Sequence, residues 1–231
     1  MTHDARPTLV IGTHNHKKGI ELAELLAPRG FNVVTLDEVP DTIEVVEDGD
    51  TYEANARLKA SQQAVHLGRW VLADDSGLAV DALGGAPGVH SARFAFLGGT
   101  PRVRDGRGDA TTLVAEPQGM PPSTIDEANN LYLLEKLGDT PLEKRAAHYV
   151  CHVSVADPTG AIRAESHDVC HGRIRFERAG SNGFGYDPLF EVVEYHRTFG
   201  ELGPRAKQAL SHRSRALRAV VPKLVEAWSK G

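Results

Sequence analysis

Three groups of polar residues in this chain have the types and spacing that phosphate and metal chemistry requires. The first is Thr13-His14-Asn15-His16-Lys17-Lys18, which follows an apolar segment and precedes a helical pattern. A turn from strand to helix presents free backbone N–H groups and the positive end of the helix dipole at one place. Because a Lys at a helix N-terminus opposes that dipole, it favours an anion there. The segment predicts a phosphate or carboxylate site, and the alternative is a solvated turn.

The second group is Asp74-Asp75-Ser76-Gly77, which is expected to form a loop directly after a short buried strand. In open α/β sheets, ligands bind outside the carboxyl ends of the strands. Two carboxylates at such a place suit Mg²⁺, which prefers one or two carboxylates plus substrate phosphates. The acidic run that contains Glu47 can supply another ligand, and Lys59 lies on the helix that follows it. The alternatives are an Asx-type turn and a solvated acidic loop.

The third group is the glycine-rich stretch 180–188, in which glycines let the backbone approach a ligand closely. Its aromatic side chains, Phe184 and Tyr186, can stack on a base, and Asp187 can accept hydrogen bonds from it. Lys207 and the segment Ser211-His212-Arg213 add donors near a predicted helix start. The alternative is a turn plugged by its own aromatic rings.

The elements that must position these groups alternate between strands and helices. Helices are predicted over Lys18–Ala27, over Tyr52–Leu67 with Asp50 as its cap, and from Thr124 as a capping residue to Leu137. The alternation in 147–156 and 161–169 predicts an antiparallel hairpin, and Ser211 caps a last helix that Pro222 kinks or interrupts. Together these elements imply a mixed sheet flanked by helices.

Composition narrows the classes of protein. The 231 residues are 41% hydrophobic and carry a net charge of −5, which argues against a binder of duplex nucleic acid. No apolar run reaches the ~18 residues that a membrane span needs, and the N-terminus lacks the apolar core of a signal peptide. Two cysteines make no disulfide framework. A cytoplasmic protein that contacts neither membrane nor nucleic acid is therefore expected.

Six motifs together resemble one known family. The segment ADDSGLAVDALGGAPGVHSARFA, residues 73–95, closely resembles the signature of the Ham1-like nucleoside triphosphate pyrophosphatases, the inosine triphosphate pyrophosphatases or XTP/dITP diphosphatases. Five further blocks occur in that family's order: T-x-N-x-x-K at 13–18, TYEANARLKA at 51–60, NNLYLLEKL at 129–137, GFGYDP at 183–188 and SHR at 211–213. The resemblance covers nearly the whole chain except 97–123.

The resemblance implies an α/β fold in which helices flank an elongated mixed β-sheet, with two lobes and a substrate cleft between them. It implies a single domain over 1–231 with a flexible insertion at about 97–123, and a homodimer. The implied reaction is Mg²⁺-dependent hydrolysis of deaminated purine nucleoside triphosphates (ITP, dITP and XTP) to the monophosphate and pyrophosphate. Two alternatives stay open, a Maf-like pyrophosphatase for modified pyrimidine nucleotides and a non-catalytic nucleotide sensor.

The resemblance also implies roles for individual residues. Asp75 and Glu47 would hold the metal, with Asp75 also the base, and Lys18 and Lys59 would be catalytic. The implied substrate-binding residues are Thr13, His14, Asn15, His16, Lys17, Lys18, Ser76, Phe184, Gly185, Tyr186, Asp187, Lys207, His212 and Arg213. Among these, Arg213 is predicted to read the 6-oxo group of the purine. Four residues depart from the pattern: His14 and Lys17 make the phosphate loop bulkier and more basic, Val46 replaces a second Glu beside Glu47, and Gly200 replaces a common Ala.

Overall fold

A seven-stranded sheet and a two-stranded sheet form the β-structure of the part of the chain that the structure, a computed structural model, describes: residues 8–97, 102–104, 110–112 and 120–229. The strands are β1 (Leu9–Ile11), β2 (Val33–Thr35), β3 (Trp70–Val80), β4 (Arg102–Arg104), β5 (Ala110–Thr112), β6 (Ala146–Ala156), β7 (Ile162–Ile174), β8 (Phe190–Val192) and β9 (Arg197–Thr198). The helices are α1 (His16–Leu26), α2 (Tyr52–Leu67), α3 (Phe94–Leu97), α4 (Pro122–Leu137), α5 (Pro204–Leu210) and α6 (His212–Ser229).

The large sheet is mixed, with the strand order β2-β1-β3-β6-β7-β8-β9. Strand β1 pairs in parallel with β2 and with β3, whereas β8 pairs antiparallel with β7 and with β9. The predicted hairpin is β6–β7, and its turn is closed by a 2.8 Å bond from the Gly160 amide to the Asp157 carbonyl. The mixed sheet and its helices confirm the predicted α/β class.

The chain divides into two compact units. Unit 1 comprises Met1–Ser76, Val150–Val169 and Leu210–Gly231, and unit 2 comprises Gly77–Tyr149 and Cys170–Ala209. Unit 1 therefore contains β1, β2, α1, α2 and all of α6, whereas unit 2 contains α3, α4, β8, β9 and all of α5 except its last residue. The strands β3, β6 and β7 contribute residues to both.

Unit 1 has one apolar core on each face of its part of the sheet. On one face, Leu9, Ile11 and Leu72 pack against the buried sides of α1 and α6. On the other face, Val10, Val71 and Ala73 pack against α2 and the segment after β2. Because successive side chains of a strand point to opposite faces, β1 and β3 send alternate residues to the two cores.

In unit 2, aromatic rings and a buried arginine occupy the interior. Tyr149 and Phe190 have ring centroids 4.6 Å apart, and Phe190 and Phe199 stack at 5.4 Å. The guanidinium of Arg145 donates to the carbonyls of Gly138 and Thr140, which ties the end of α4 to the start of β6. No helix in the described ranges is both long and apolar enough to cross a membrane.

Several element boundaries differ from those predicted. Thr51 rather than Asp50 caps α2, since the Thr51 hydroxyl accepts from the Ala54 amide. Helix α4 begins at Pro122 rather than at Thr124, with proline in its first turn, where a missing N–H costs no intrahelical bond. Ser211 does cap the last helix, and Pro222 does not interrupt it.

The predicted insertion 97–123 lies largely outside the described residues. Within it, β4 and β5 pair antiparallel, Arg102 opposite Thr112, where the sequence had indicated no regular element. Its prediction as a flexible insertion concerns residues outside the described ranges and stays a prediction.

Candidate active site

The acidic motif lies inside a strand and not after one. Strand β1 ends where Ile11 pairs with Leu72, and β3 continues for eight residues beyond that point, to Val80. At Gly12, whose amide donates to the Leu72 carbonyl at 2.7 Å, an added Cβ would come within 2.7 Å of the Val71 side chain. The chain therefore leaves the sheet through a glycine, and Asp74 and Asp75 lie past the end of β1.

The side chains of Asp74 and Asp75 point to opposite faces of the sheet. Asp74 has the orientation of Leu72, towards α1 and α6, and Asp75 has that of Ala73, towards α2. Both are buried, with 0% and 6% of their surface exposed. The two carboxylates therefore do not form one adjacent pair, because the pleat of the strand separates them.

Asp74 belongs to a buried ionic network. Its Oδ2 accepts from Arg213 Nε at 3.1 Å and from the Ser76 hydroxyl at 3.1 Å, and Lys18 Nζ lies 3.8 Å away. Arg213 also donates through Nη1 to Glu21 Oε2 at 2.7 Å and through Nη2 to the Ser76 hydroxyl at 2.8 Å. Each guanidinium nitrogen thus donates inside unit 1, which gives Arg213 a structural role, and the prediction that it also reads a purine base stays a prediction.

The network keeps Asp74 and Arg213 charged. Burial alone would raise the pKa of Asp74, but Lys18, Arg213 and Lys59 outweigh it, so the pKa lies well below its usual value. Burial alone would lower the pKa of Arg213, yet Glu21 and Asp74 raise it well above its usual value. Within the described residues, Asp74 Oδ1 and Glu21 Oε1 are buried oxygens with no hydrogen-bond partner. The network thus has capacity left for further donors.

On the other face, Lys59 joins two carboxylates. Its Nζ lies 2.8 Å from Glu47 Oε2 and 3.3 Å from Asp75 Oδ1. Lys59 and Asp75 are buried, whereas the Glu47 side chain is 41% exposed. Asn55, one helical turn before Lys59 on α2, donates through Nδ2 to Asp75 Oδ2 at 3.2 Å. Three of the predicted residues, Glu47, Lys59 and Asp75, are therefore brought together.

The pKa values of Asp75 and Lys59 both lie above their usual values, which suits base chemistry at Asp75. Burial raises the pKa of Asp75 above its usual value; Lys59 and Lys18 oppose the rise, and Glu47 and Asp74 add to it. Burial would lower the pKa of Lys59, but the carboxylates of Asp75, Glu47 and Asp74 raise it overall. Lys59 therefore stays protonated, and Asp75 is a stronger base than an exposed carboxylate.

The carboxylate oxygens around Lys59 are ligands of the kind that Mg²⁺ prefers. No group of three or more His, Cys, Asp or Glu side chains within the described ranges is arranged to hold a metal ion. Mg²⁺, however, is usually bound by one or two carboxylates, with phosphates and water completing its shell. Glu47 and Asp75 already contact one common cation, the Lys59 ammonium. This oxygen pair fits Mg²⁺ with a phosphate-bearing substrate.

The predicted phosphate loop is the N-terminal turn of α1. Asn15 caps the helix, because its Oδ1 accepts from the Lys18 amide at 3.1 Å, and the Thr13 hydroxyl accepts from the Asn15 amide. The imidazoles of His14 and His16 bond to the Ile43 carbonyl and to Asp37.

Within this loop, Lys17 is exposed, and the Lys18 side chain is 17% exposed. Thr13, Asn15 and Lys18 therefore belong to the helix terminus near Asp74, whereas His14 and His16 bond to the segment after β2.

In unit 2, Asp187 organises the glycine-rich stretch. Its Oδ2 accepts from Lys207 Nζ at 2.6 Å and from the Phe184 amide at 2.9 Å, and the Tyr149 hydroxyl lies 3.4 Å from its Oδ1. The Lys207 ammonium also lies 4.4 Å from the centroid of the half-buried Phe184 ring. At Gly183 an added Cβ would overlap Asp187, so only glycine fits there. Phe184, Asp187 and Lys207 thus form one cluster.

Tyr186 is a core residue of unit 2. It is 3% exposed, and its hydroxyl donates to the Ser91 carbonyl at 2.8 Å. This burial does not fit the prediction that its ring stacks on a base. The neighbouring Gly185 carbonyl accepts from Asn130 at 2.8 Å, which fixes the turn on α4. His212, in unit 1, is buried at the first residue of α6.

Two residues of the site were not identified from the sequence. Glu21 lies three residues after Lys18 on α1, and Asn55 lies four residues before Lys59 on α2. Side chains three and four apart share one face of a helix. A polar residue three or four positions from a candidate lysine was therefore the sequence signal that could have identified both.

Comparisons with known proteins show which family the chain belongs to. The sequence profile described as the Ham1 family matches residues 9–223. The chain is similar to the dITP/XTP pyrophosphatase of Rhodopirellula baltica, with 50% identity over 94% of this chain and 92% of that protein. It is 44% identical to the dITP/XTP pyrophosphatase of Desulforamulus reducens, over 91% and 92% of the two chains.

A solved structure agrees as well. The Staphylococcus aureus Ham1 protein superposes with a TM-score of 0.70 at 32% identity, covering 97% of this chain and 98% of that one. The resemblance seen in the motifs is thereby confirmed, and the chain belongs to the Ham1 family.

Proposed function

We propose that this protein hydrolyses deaminated purine nucleoside triphosphates (dITP, ITP and XTP) to the nucleoside monophosphate and pyrophosphate, with Mg²⁺ as cofactor. The relatives described above are named dITP/XTP pyrophosphatases and match nearly the whole chain. The observation that carries the proposal is the buried Asp75 carboxylate, which shares the Lys59 ammonium with Glu47. A carboxylate pair of this kind can hold the Mg²⁺ that binds and orients substrate phosphates.

The reaction needs a base, a cation site and donors for phosphate oxygens. Asp75 would accept a proton from the water that attacks the α-phosphorus, while the bond from that phosphorus to the leaving pyrophosphate oxygen breaks. Lys59 and Lys18 would donate to phosphate oxygens, on which negative charge increases as the bond breaks. When bound at Glu47 and Asp75, Mg²⁺ would supply neutralisation of that charge and orientation of the phosphates.

The cluster around Asp187 is the proposed contact for the base. The Phe184 ring is half-buried, and Asp187 holds both the Phe184 amide and the Lys207 ammonium. An aromatic ring and fixed backbone groups favour a planar base. A site built for one hydrogen-bond pattern can reject a mismatched one by ~10⁴-fold, because buried polar groups are then left unpaired.

A nucleotide panel tests the proposal. We expect rapid Mg²⁺-dependent cleavage of dITP, ITP and XTP, and poor cleavage of dATP and dGTP, with pyrophosphate rather than phosphate as product. In H₂¹⁸O the label is expected in dIMP, because attack is at the α-phosphorus. Faster cleavage of modified pyrimidine triphosphates would favour the Maf-like alternative, and tight binding of dITP without turnover would favour a nucleotide sensor.

The homodimer and the cytoplasmic location that the resemblance implies also belong to this proposal. Light scattering of the purified protein tests the first, and fractionation of cells that produce it tests the second.

A further inference from the structure

Asn55 has a buried side-chain amide whose nitrogen and oxygen both form hydrogen bonds. It is 3% exposed and lies on α2. Its Nδ2 donates to Asp75 Oδ2 at 3.2 Å, and its Oδ1 accepts from the Gly49 amide at 2.8 Å. Gly49 is two residues from Glu47, so one side chain connects the strand that carries Asp75 with the segment that carries Glu47.

The two partners determine the orientation of this amide. A backbone N–H can only donate, and an ionised carboxylate can only accept. Exchanging the oxygen and nitrogen of Asn55 would set a donor against the Gly49 amide and an acceptor against Asp75. The bonding pattern described is therefore the one that satisfies both neighbours.

The backbone at Gly49 approaches α2 too closely for any other residue. An added Cβ would lie 2.7 Å from the Ala54 Cβ and 2.7 Å from Asn55 Oδ1. Real Cβ atoms essentially never show such contacts. The position of this segment thus depends directly on the Asn55 side chain.

We propose that Asn55 is a positioning residue, which holds Glu47 and Asp75 at the separation that a divalent cation needs. The inference rests on the proposed function, because that function gives the two carboxylates their task. Removing Asn55 would free the Asp75 carboxylate on one side and release the Glu47 segment at Gly49. Loss of groups that orient metal ligands typically weakens metal binding by ~10- to 100-fold.

Gln63 provides a matched control on the same helix. It is 1% exposed, and its amide bonds to both the N–H and the carbonyl of Ile43, in the same segment between β2 and α2. Asn55 and Gln63 therefore both anchor that segment to α2. Asn55 differs in that it also bonds to Asp75.

The test compares Asn55→Ala with Gln63→Ala. Binding of Mn²⁺ alone, without nucleotide, is measured by electron paramagnetic resonance. Thermal unfolding and the Mg²⁺ concentration for half-maximal dITP turnover are measured in parallel. We expect both variants to unfold at lower temperature. We expect Asn55→Ala to raise the Kd for Mn²⁺ about tenfold, and Gln63→Ala to leave it within about twofold.

Two further variants keep the test decisive if Asn55→Ala does not fold. Gly49→Ala moves the same segment without changing Asn55, and Asn55→Leu fills a similar volume while making neither hydrogen bond. Both are expected to weaken Mn²⁺ binding. Equal effects of Asn55→Ala and Gln63→Ala on Mn²⁺ binding would overturn the proposal, as would unchanged binding in Gly49→Ala and Asn55→Leu. If the wild type does not cleave dITP, the proposed function fails, and Mn²⁺ binding still decides the role of Asn55.

Discussion

Asp74 and Asp75 are neighbours in the chain, yet their carboxylates lie on opposite faces of β3 and in different electrostatic surroundings. Asp74 bonds to Arg213 and lies near Lys18, whereas Asp75 bonds to Asn55 and lies near Lys59. The pKa of Asp74 is lowered, and that of Asp75 is raised. The network thus favours the ionised form of Asp74, while burial disfavours that of Asp75.

This contrast predicts different results for Asp74→Asn and Asp75→Asn. Asp74→Asn removes the charge that opposes Arg213 and should cost about 3 kcal/mol of unfolding free energy. Asp75→Asn removes a charge that the fold does not favour and should change stability by less than about 1 kcal/mol. It should, however, lower kcat more than about tenfold, a loss of at least ~1.4 kcal/mol. Urea unfolding and steady-state hydrolysis of dITP measure both quantities. If Asp74→Asn had a higher unfolding free energy than Asp75→Asn, this result would contradict the different roles assigned to the two carboxylates.

Arg213→Ala is expected to act on the fold and on every substrate alike. The change leaves Asp74 and Glu21 buried without their arginine, which typically costs 3–5 kcal/mol. Because the guanidinium bonds inside unit 1, kcat/KM should fall by similar factors for dITP and dATP.

The matched control for this arginine is Arg163→Ala. The Arg163 side chain is 50% exposed in its pair with Asp157, so its loss should cost under about 1 kcal/mol. If kcat/KM of Arg213→Ala fell for dITP and not for dATP, Arg213 would read the base.

In unit 2, Lys207→Met and Tyr186→Phe are expected to separate binding from stability. Lys207→Met removes the ammonium from Asp187 and from the Phe184 ring, so the KM for dITP should rise about tenfold with a smaller change in kcat. Tyr186→Phe loses only the bond to the Ser91 carbonyl, which should cost about 1 kcal/mol of stability and leave KM unchanged. Kinetics and thermal unfolding of both variants test this, and a raised KM in Tyr186→Phe would show that its hydroxyl reaches the substrate.

The pKa of Glu165 predicts that the stability of the protein depends on pH. Burial alone would raise the pKa of Glu165, but hydrogen bonds from Arg57, Ser154 and His152 lower it from 4.5 to about 2. A lowered pKa in the folded state contributes stability above about pH 4.5, which is lost as the pH falls towards 2. Glu165→Gln should therefore destabilise the protein at pH 7 by about 1 kcal/mol, since the half-exposed Arg57 is screened by solvent.

The control for Glu165 is Glu53→Gln, which removes the other carboxylate that contacts Arg57. Both side chains of that pair are about half exposed, so its effect should be small. Urea titrations at several pH values give the result. A difference between wild type and Glu165→Gln that persists undiminished below pH 3 would contradict the assignment.

Much of this protein can be read from its sequence, because local signals act over a few residues. The turn signals at 157–160 predicted the β6–β7 hairpin, and helical spacing with a glycine stop predicted α2 through Leu67. The order of the motifs indicated the family. Lys59 and Asp75 were named together, and the structure has them 3.3 Å apart.

Only the tertiary structure decided how the site residues face one another. Asp, Ser and Gly are depleted in strands, so 74–77 looked like a loop. With β6 next to it in the sheet, β3 instead continues to Val80, and the pleat then sends Asp74 and Asp75 to opposite faces. The partners of Arg213 likewise come from α1 and β3, far away in the chain. Such pairings depend on which elements pack together, and hydrophobic patterning determines which face of an element is buried but not which distant side chain it meets there.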